Sequence, residues 1–295
     1  MHETRSGDEP LKGIFLMCMA VALIACQEAM AKYLGQSLPM LQVIGARYLG
    51  HLLLMIVVLM PRHGLTLFRA HRPVVQIGRS VLLLIDTALY FFSLTLIGLA
   101  EATAIFFSVP ILVVLLSVPL LGERVEWPRL VAVTVGFAGM LVITRPGSGA
   151  LGYGALLTFG AALCASLFNI ITRKLADEDP TPVTMFYTAM AGAVIMLMIL
   201  PFTWEMPVGW QQWTALAMIG IAGGAAHSCI IASHAFAPAS SVAPFMYSQI
   251  FWALGLGYLF FGVLPDRFTV LGCIIVMASG IYLLRRQKTK TDLVV

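Results

Sequence analysis

Ten apolar runs, each about as long as a bilayer-crossing helix, alternate along the chain with short polar connections. They cover 12–31, 39–60, 75–97, 100–121, 129–144, 151–173, 182–202, 213–234, 239–262 and 268–284. A helix needs about 20 apolar residues to cross the hydrocarbon core, and charges are almost confined to the connections. The pattern predicts an all-α integral membrane protein of ten transmembrane helices. The fifth and tenth runs are short, so their ends are the least defined.

The pattern also repeats. A small-residue start (Ala100, Ala102, Ala104) leads through run 4 to Gly122 and the charged pair Glu123-Arg124. Run 9 copies this with Ser240, Ser241 and Ala243, then Gly262 and Asp266-Arg267, about 140 residues later and close to half of the 295-residue chain. Self-similarity at that spacing predicts two copies of a five-helix unit. Five is odd, so the second copy enters the membrane upside down, and inverted repeats of this kind set a substrate site near the midplane where the halves meet. The break at Arg145-Pro146-Gly147-Ser148-Gly149 is the natural boundary. The predicted organisation is a cytoplasmic tail at 1–11, repeats at 12–146 and 147–285, and a basic, unstructured tail at 286–295.

Composition agrees with the pattern. Hydrophobic residues make up 60% and charged residues 11% of the chain, which excludes an ordinary soluble domain. The first run carries Gln27 and Glu28 near its far end and lacks a small-x-small cleavage site, so it reads as a retained helix rather than a signal peptide. With the N-terminus inside, thirteen of the eighteen Lys and Arg fall in cytoplasmic segments and three outside. That asymmetry places both termini in the cytoplasm; the expected location is the inner membrane. The net charge of +4 therefore reflects orientation among membrane lipids and implies no nucleic-acid partner. All five cysteines lie inside apolar runs and read as packing residues.

An ionisable side chain at the bilayer centre costs about 2.5–3.5 kcal/mol or more, so each calls for a partner or a function. Asp86 lies deepest, with Arg79 seven residues before it and Tyr90 four after, on nearly one face of run 3. Asp86 is either a brace to another helix or a cavity carboxylate for a cationic group or proton; Arg79 can snorkel to the cytoplasmic surface. His227 overlays Thr87 between repeats and is either a proton-linked group or a neutral strut; His234, seven residues on, shares its face but lies near the cytoplasmic end. Gln27 and Asn169 share a register 142 residues apart, as do Lys32 and Lys174. Gln249 and Trp252, three apart, offer a buried amide beside an aromatic wall, with Tyr247 offset. Glu28 and Arg47, in the outer halves of adjacent helices, read as an ion pair or a gating pair, with Lys32 as a rival partner. Pro110 and Pro244 remove helix hydrogen bonds but fall at non-equivalent repeat positions.

Two five-helix copies, the Leu121-Gly122-Glu123-Arg124 ending of run 4, and Gly136 and Gly139 in run 5 resemble the EamA-type branch of the drug/metabolite transporter superfamily. The resemblance covers nearly the whole chain. It implies a central cavity lined by runs 3, 4, 8 and 9, with runs 1, 2, 6 and 7 moving around it. The second copy departs from the pattern, with Gly262-Val263-Leu264-Pro265-Asp266-Arg267 in place of a direct Gly-Glu.

No phosphate-cradling loop, Cys-x-x-Cys or His-Glu-x-x-His occurs, so no enzyme, metal or cofactor is expected. The expected function is secondary transport of a small polar organic metabolite by alternating access, foremost export of an amino-acid-like zwitterion. Asp86, Tyr90, His227, Gln249 and Trp252 would bind it, and a proton or counter-substrate would bias its direction. The alternatives are uptake of a vitamin or nucleotide-like metabolite such as riboflavin, and a non-transporting membrane scaffold. The oligomeric state stays open between monomer and homodimer.

Overall fold

The computed structural model describes residues 10–121, 127–144, 152–175, 178–236 and 245–291. Regular structure among them is helical: α1 (Pro10–Leu34), α2 (Met40–His63), α3 (Pro73–Leu94), α4 (Leu99–Phe106), α5 (Val109–Leu121), α6 (Trp127–Thr144), α7 (Tyr153–Leu175), α8 (Thr181–Thr203), α9 (Gly209–Phe236), α10 (Gln249–Phe261) and α11 (Arg267–Thr291). A 3₁₀ turn at Gly64–Phe68 extends α2. Six helices, α1, α2, α3, α7, α8 and α9, are long and apolar enough to cross a membrane, and shorter apolar helices accompany them. Large apolar side chains such as Leu53, Leu197, Phe251, Leu259 and Ile274 stay exposed, as a lipid-facing surface requires.

Local sequence sets the helix starts. Pro39 and Pro180 hold the backbone extended just before α2 and α8, at φ −55°, ψ 128° and φ −58°, ψ 140°. Run 4 is not the single helix expected. It breaks at Phe107–Ser108 into α4 and α5, because Pro110 has no N–H to offer the carbonyl four residues earlier. Run 9 breaks at Tyr247–Ser248, 140 residues later and in the same register, with no proline inside the turn. There Ser248 closes the turn itself, its N–H and Oγ both donating to the Phe245 carbonyl at 3.0 and 2.6 Å. The interruptions are therefore matched although the prolines are not.

Helix contacts come in corresponding sets. α1 packs on α9 as α7 packs on α3; α2 packs on α9 as α8 packs on α3; α1 meets α10 as α7 meets α4 and α5. α2 with α8, and α6 with α11, close the scheme. The backbones of α2 and α9 meet closely, where a Cβ placed on Gly220 would lie 2.5 Å from the Gly50 Cα. Polar ties hold the ends. Gln42 exchanges hydrogen bonds with the Glu205 backbone at 2.8 and 2.9 Å, and Gln212 donates to the Ser37 hydroxyl at 2.8 Å. At the opposite end Gln76 donates to Asp179 at 2.9 Å and to Thr184 at 3.0 Å.

The basic tail differs from expectation: α11 continues to Thr291, because Arg, Gln and Lys are good helix formers and prolong it past the apolar run. Expectations resting on Gly122 to Arg124, on the 145–149 boundary, on 239–244, on the outermost tails and on the His234 side chain lie outside the described residues.

Candidate functional site

Between the helix sets lies a cavity of about 330 Å³, within the range of small-molecule sites. Its wall is drawn more widely than the resemblance implies. α1 contributes Gln27 and Glu28, α2 Arg47, α3 Asp86 and Tyr90, α7 Phe168 and Asn169, and α9 His227; Phe106, Phe107 and Pro110 come from the α4–α5 break, and Tyr247 and Gln249 from the run 9 break. Runs 1, 2 and 6 are thus walls as well as surroundings.

On the polar side, Glu28 is buried and tied to helices from both halves of the chain. The Gln249 amide donates to Oε1 at 3.0 Å and the Thr103 hydroxyl to Oε2 at 3.5 Å, and Thr103 in turn lies 3.4 Å from the Tyr90 hydroxyl. The expected Glu28–Arg47 ion pair does not form among the described residues: the Glu28 carboxylate is turned to Gln249 and Thr103, while the Arg47 guanidinium lies over the Tyr48 ring. Lys32 does not replace Arg47: its ammonium caps the end of α3, donating to the carbonyls of Leu94 and Ile97, the latter at 2.7 Å.

Arg47, only 5% exposed, stacks over the Tyr48 ring at 4.7 Å, and its Nε and Nη1 have no hydrogen-bond partner. Asp86, 7% exposed, likewise has an unpartnered Oδ1. The bracing hydrogen bond weighed for Asp86 is absent there. Buried polar atoms are nearly always satisfied, so these stand out, as do Gln76 Oε1, Arg79 Nε and Ser108 Oγ elsewhere in the described residues.

His227 bonds through Nδ1 to the Gly223 carbonyl at 2.9 Å. A carbonyl only accepts, so Nδ1 carries the hydrogen and Nε2 is left as an acceptor. The His51 ring lies beside it, centroids 5.6 Å apart. The glycines before His227 serve helix approach: a Cβ at Gly223 would meet Gln27 Oε1 at 2.0 Å, and one at Gly224 would meet Leu54 at 2.7 Å.

The structure brings together Glu28, Arg47, Asp86, Tyr90, His227 and Gln249 of the expected residues. Trp252 is a correction. It is 47% exposed and takes no part in the cavity wall: about 60° round α10 from Gln249, it lies past the cavity's edge at the surface. Tyr247 and Phe107 supply the aromatic wall instead, their rings edge to face at 5.1 Å. Overlaying 107 on 247 at the 140-residue shift would have found that pair. Arg79 does not snorkel. It is 2% exposed, donates to Thr172 at 2.9 Å, the Thr184 carbonyl at 2.9 Å and Thr188 at 2.6 Å, and lies over the Phe168 ring. Oxygens from α7 and α8 replace the water it would otherwise seek.

Comparison with known proteins matches the EamA-like transporter family twice, at residues 11–145 and again at 152–286. The S-adenosylmethionine uptake transporter of Rickettsia felis is 26% identical over 281 residues, covering 94% of each chain. The pseudopaline exporter CntI of Pseudomonas aeruginosa is 28% identical over 285 residues, covering 94% of this chain and 97% of that one. The riboflavin transporter of Rhizobium johnstonii is 27% identical over 230 residues, or 77% and 75% of the two chains. A protein crystal structure at 21% identity aligns with a TM-score of 0.65 over 93% of this chain and 98% of its own, a likeness of fold.

Proposed function

The chain belongs to the EamA-like transporter family, and from that premise we propose that it is a secondary transporter for an amino-acid-like, zwitterionic solute. Named relatives carry small molecules across membranes, which supports a small-molecule substrate and a multi-pass membrane protein. The observation that carries the substrate class is the pair of unpartnered buried groups in the cavity wall: the Arg47 guanidinium for a carboxylate and the Asp86 carboxylate for an ammonium.

Ten spans in two inverted repeats, 12–146 and 147–285, rocking about this cavity, would give alternating access. The double family match, the corresponding helix pairings and the interruptions at the same register support that arrangement. The excess of Lys and Arg in alternate connections supports cytoplasmic termini in the inner membrane. At formal charges the wall holds two carboxylates and one guanidinium, so a neutral zwitterion leaves one negative charge over. A proton travelling with the solute, with Glu28 as its site, closes that balance.

The test is thermal stabilisation of the purified protein by a metabolite panel, since a ligand of the folded state must raise its melting temperature. An amino acid should stabilise the wild type, and Arg47→Gln or Asp86→Asn should weaken it by about tenfold to a hundredfold, the worth of a charged hydrogen bond. Proteoliposome flux in both directions then reads transport. Stabilisation by riboflavin but by no zwitterion, unchanged in both variants, would favour the vitamin reading, which the cavity's aromatic side supports. Absence of any stabilising metabolite or flux would favour the scaffold.

A further inference from the structure

The cavity has a second half that the zwitterion head does not use. Phe107 and Tyr247 occupy the turns that interrupt runs 4 and 9, 140 residues apart in the same repeat register. Each is thus the other's counterpart, and their rings meet at 5.1 Å with an interplanar angle of 70°. Both line the cavity, as do the apolar side chains of Phe106, Phe168 and Met246. Gln249, which holds Glu28, begins α10 two residues after Tyr247, so the charged and aromatic halves adjoin.

Position also sets these two rings apart from ordinary core aromatics. Each sits at a turn between helices, where the backbone is not locked on both sides by a continuous ladder of helical hydrogen bonds. An edge-to-face pair at about 5 Å presents one ring face to a third ring, since offset and edge-to-face packing are both favourable. Tyr247 is buried, yet its hydroxyl makes no hydrogen bond to another described residue. A phenol beside an aromatic face favours a ring carrying heteroatoms over a plain hydrocarbon ring.

Resting on the transport reading above, we propose that Phe107 and Tyr247 form an aromatic clamp that selects zwitterions bearing a planar heteroaromatic group. The substrate class is then an amino-acid head joined to a nitrogen-containing ring system, the head at Arg47 and Asp86 and the ring against the clamp.

The experiment measures ligand-induced melting shifts, as full isotherms, for wild type, Tyr247→Leu, Tyr247→Phe and Phe107→Leu. The probes are heteroaromatic zwitterions (S-adenosylmethionine, tryptophan, histidine), aliphatic ones (methionine, leucine), and the ring without the head (adenosine). At least one heteroaromatic zwitterion should bind the wild type about tenfold or more tighter than its aliphatic counterpart. Each Leu variant should reduce that advantage by about threefold to tenfold, the worth of one aromatic contact. Tyr247→Phe should keep most of the advantage while losing preference among rings that differ only in heteroatoms. If aliphatic zwitterions bind as tightly as heteroaromatic ones, or if Leu variants weaken both classes equally, the clamp is overturned while the zwitterion reading stands. If adenosine binds as tightly as S-adenosylmethionine and Arg47→Gln changes neither, the clamp survives and the zwitterion reading falls. Should a Leu variant fail to fold, the Tyr247→Phe isotherms and the wild-type probe ranking decide the matter alone.

Discussion

Replacing Gly220 by alanine tests the packing on which the cavity depends. A Cβ at this position would stand 2.5 Å from the Gly50 Cα, 2.6 Å from the Arg47 carbonyl oxygen and 2.8 Å from the Gly50 carbonyl carbon. All three are backbone atoms of α2 and cannot swing aside as a side chain would. Carbon atoms pack at about 3.5–4.0 Å, so α2 and α9 would have to part by roughly 1 Å. Overpacking of this kind costs about 1–3 kcal/mol, and the upper end applies here because nothing flexible yields. Alanine's better helix propensity returns about 1 kcal/mol, leaving about 2 kcal/mol of net destabilisation. On the scale of domains this size, that lowers the melting temperature by about 4–8 °C. The same displacement carries Arg47 and His51 away from His227, so ligand binding should weaken more than stability alone requires.

Gly78 and Gly255 supply the controls, since a Cβ at either meets nothing within 4 Å. Their alanine variants should melt at or slightly above the wild type. Gly223→Ala is intermediate, because the atom it strikes is the end of the Gln27 amide, which can rotate. The assay is thermal unfolding of purified protein followed by size-exclusion chromatography. A Gly220→Ala protein melting within a degree of wild type, or no more affected than Gly78→Ala, would refute the close backbone contact between α2 and α9.

Arg79→Lys should cost about 1.5–3 kcal/mol, since one ammonium cannot reproduce the guanidinium's fork to Thr172, Thr184 and Thr188; a melting curve like the wild type's would show the fork to be idle. At the connection before α8, burial raises the Asp179 carboxyl, but hydrogen bonds from Gln76 and from His71 outweigh it and hold the group below its ordinary value of 3.8. Its contribution to stability is therefore complete above about pH 4 and fades as pH falls through the lower folded value. The melting difference between wild type and Asp179→Asn should be constant near neutrality and shrink only in that acid range, and a difference that closes near pH 6 would contradict the assignment. Glu28→Gln keeps a hydrogen-bonding group beside Gln249 but removes a proton site. The wild type's flux in proteoliposomes should be accelerated by a pH gradient and the variant's should not, and equal acceleration in both would place the coupling proton elsewhere.

Asp86 and His227 were legible because ionisable groups inside apolar runs stand out against their neighbours, and the structure sets both in one cavity wall. The 140-residue echo was legible because its small-residue start and charged end survive as a pattern, whatever lies between. Trp252, Arg79 and the Glu28–Arg47 pair were misread for a common reason. Periodicity gives the face a residue occupies on its own helix but not the helix that face meets. Trp252 shares a broad face with Gln249 along the sequence, and only the packing around α10 decides that the cavity's edge falls between them.

The sequence by itself determined the long apolar helices and the doubling, since bilayer thickness and duplicated order act on linear runs of residues. Tertiary structure alone decided who meets whom: Glu28 with Gln249 across 221 positions, Phe107 with Tyr247 across 140, and Gly50 against Gly220. Such contacts depend on helix rotation and crossing, a few ångströms and tens of degrees. The hydrophobic pattern leaves these free because lipid solvates any apolar face alike.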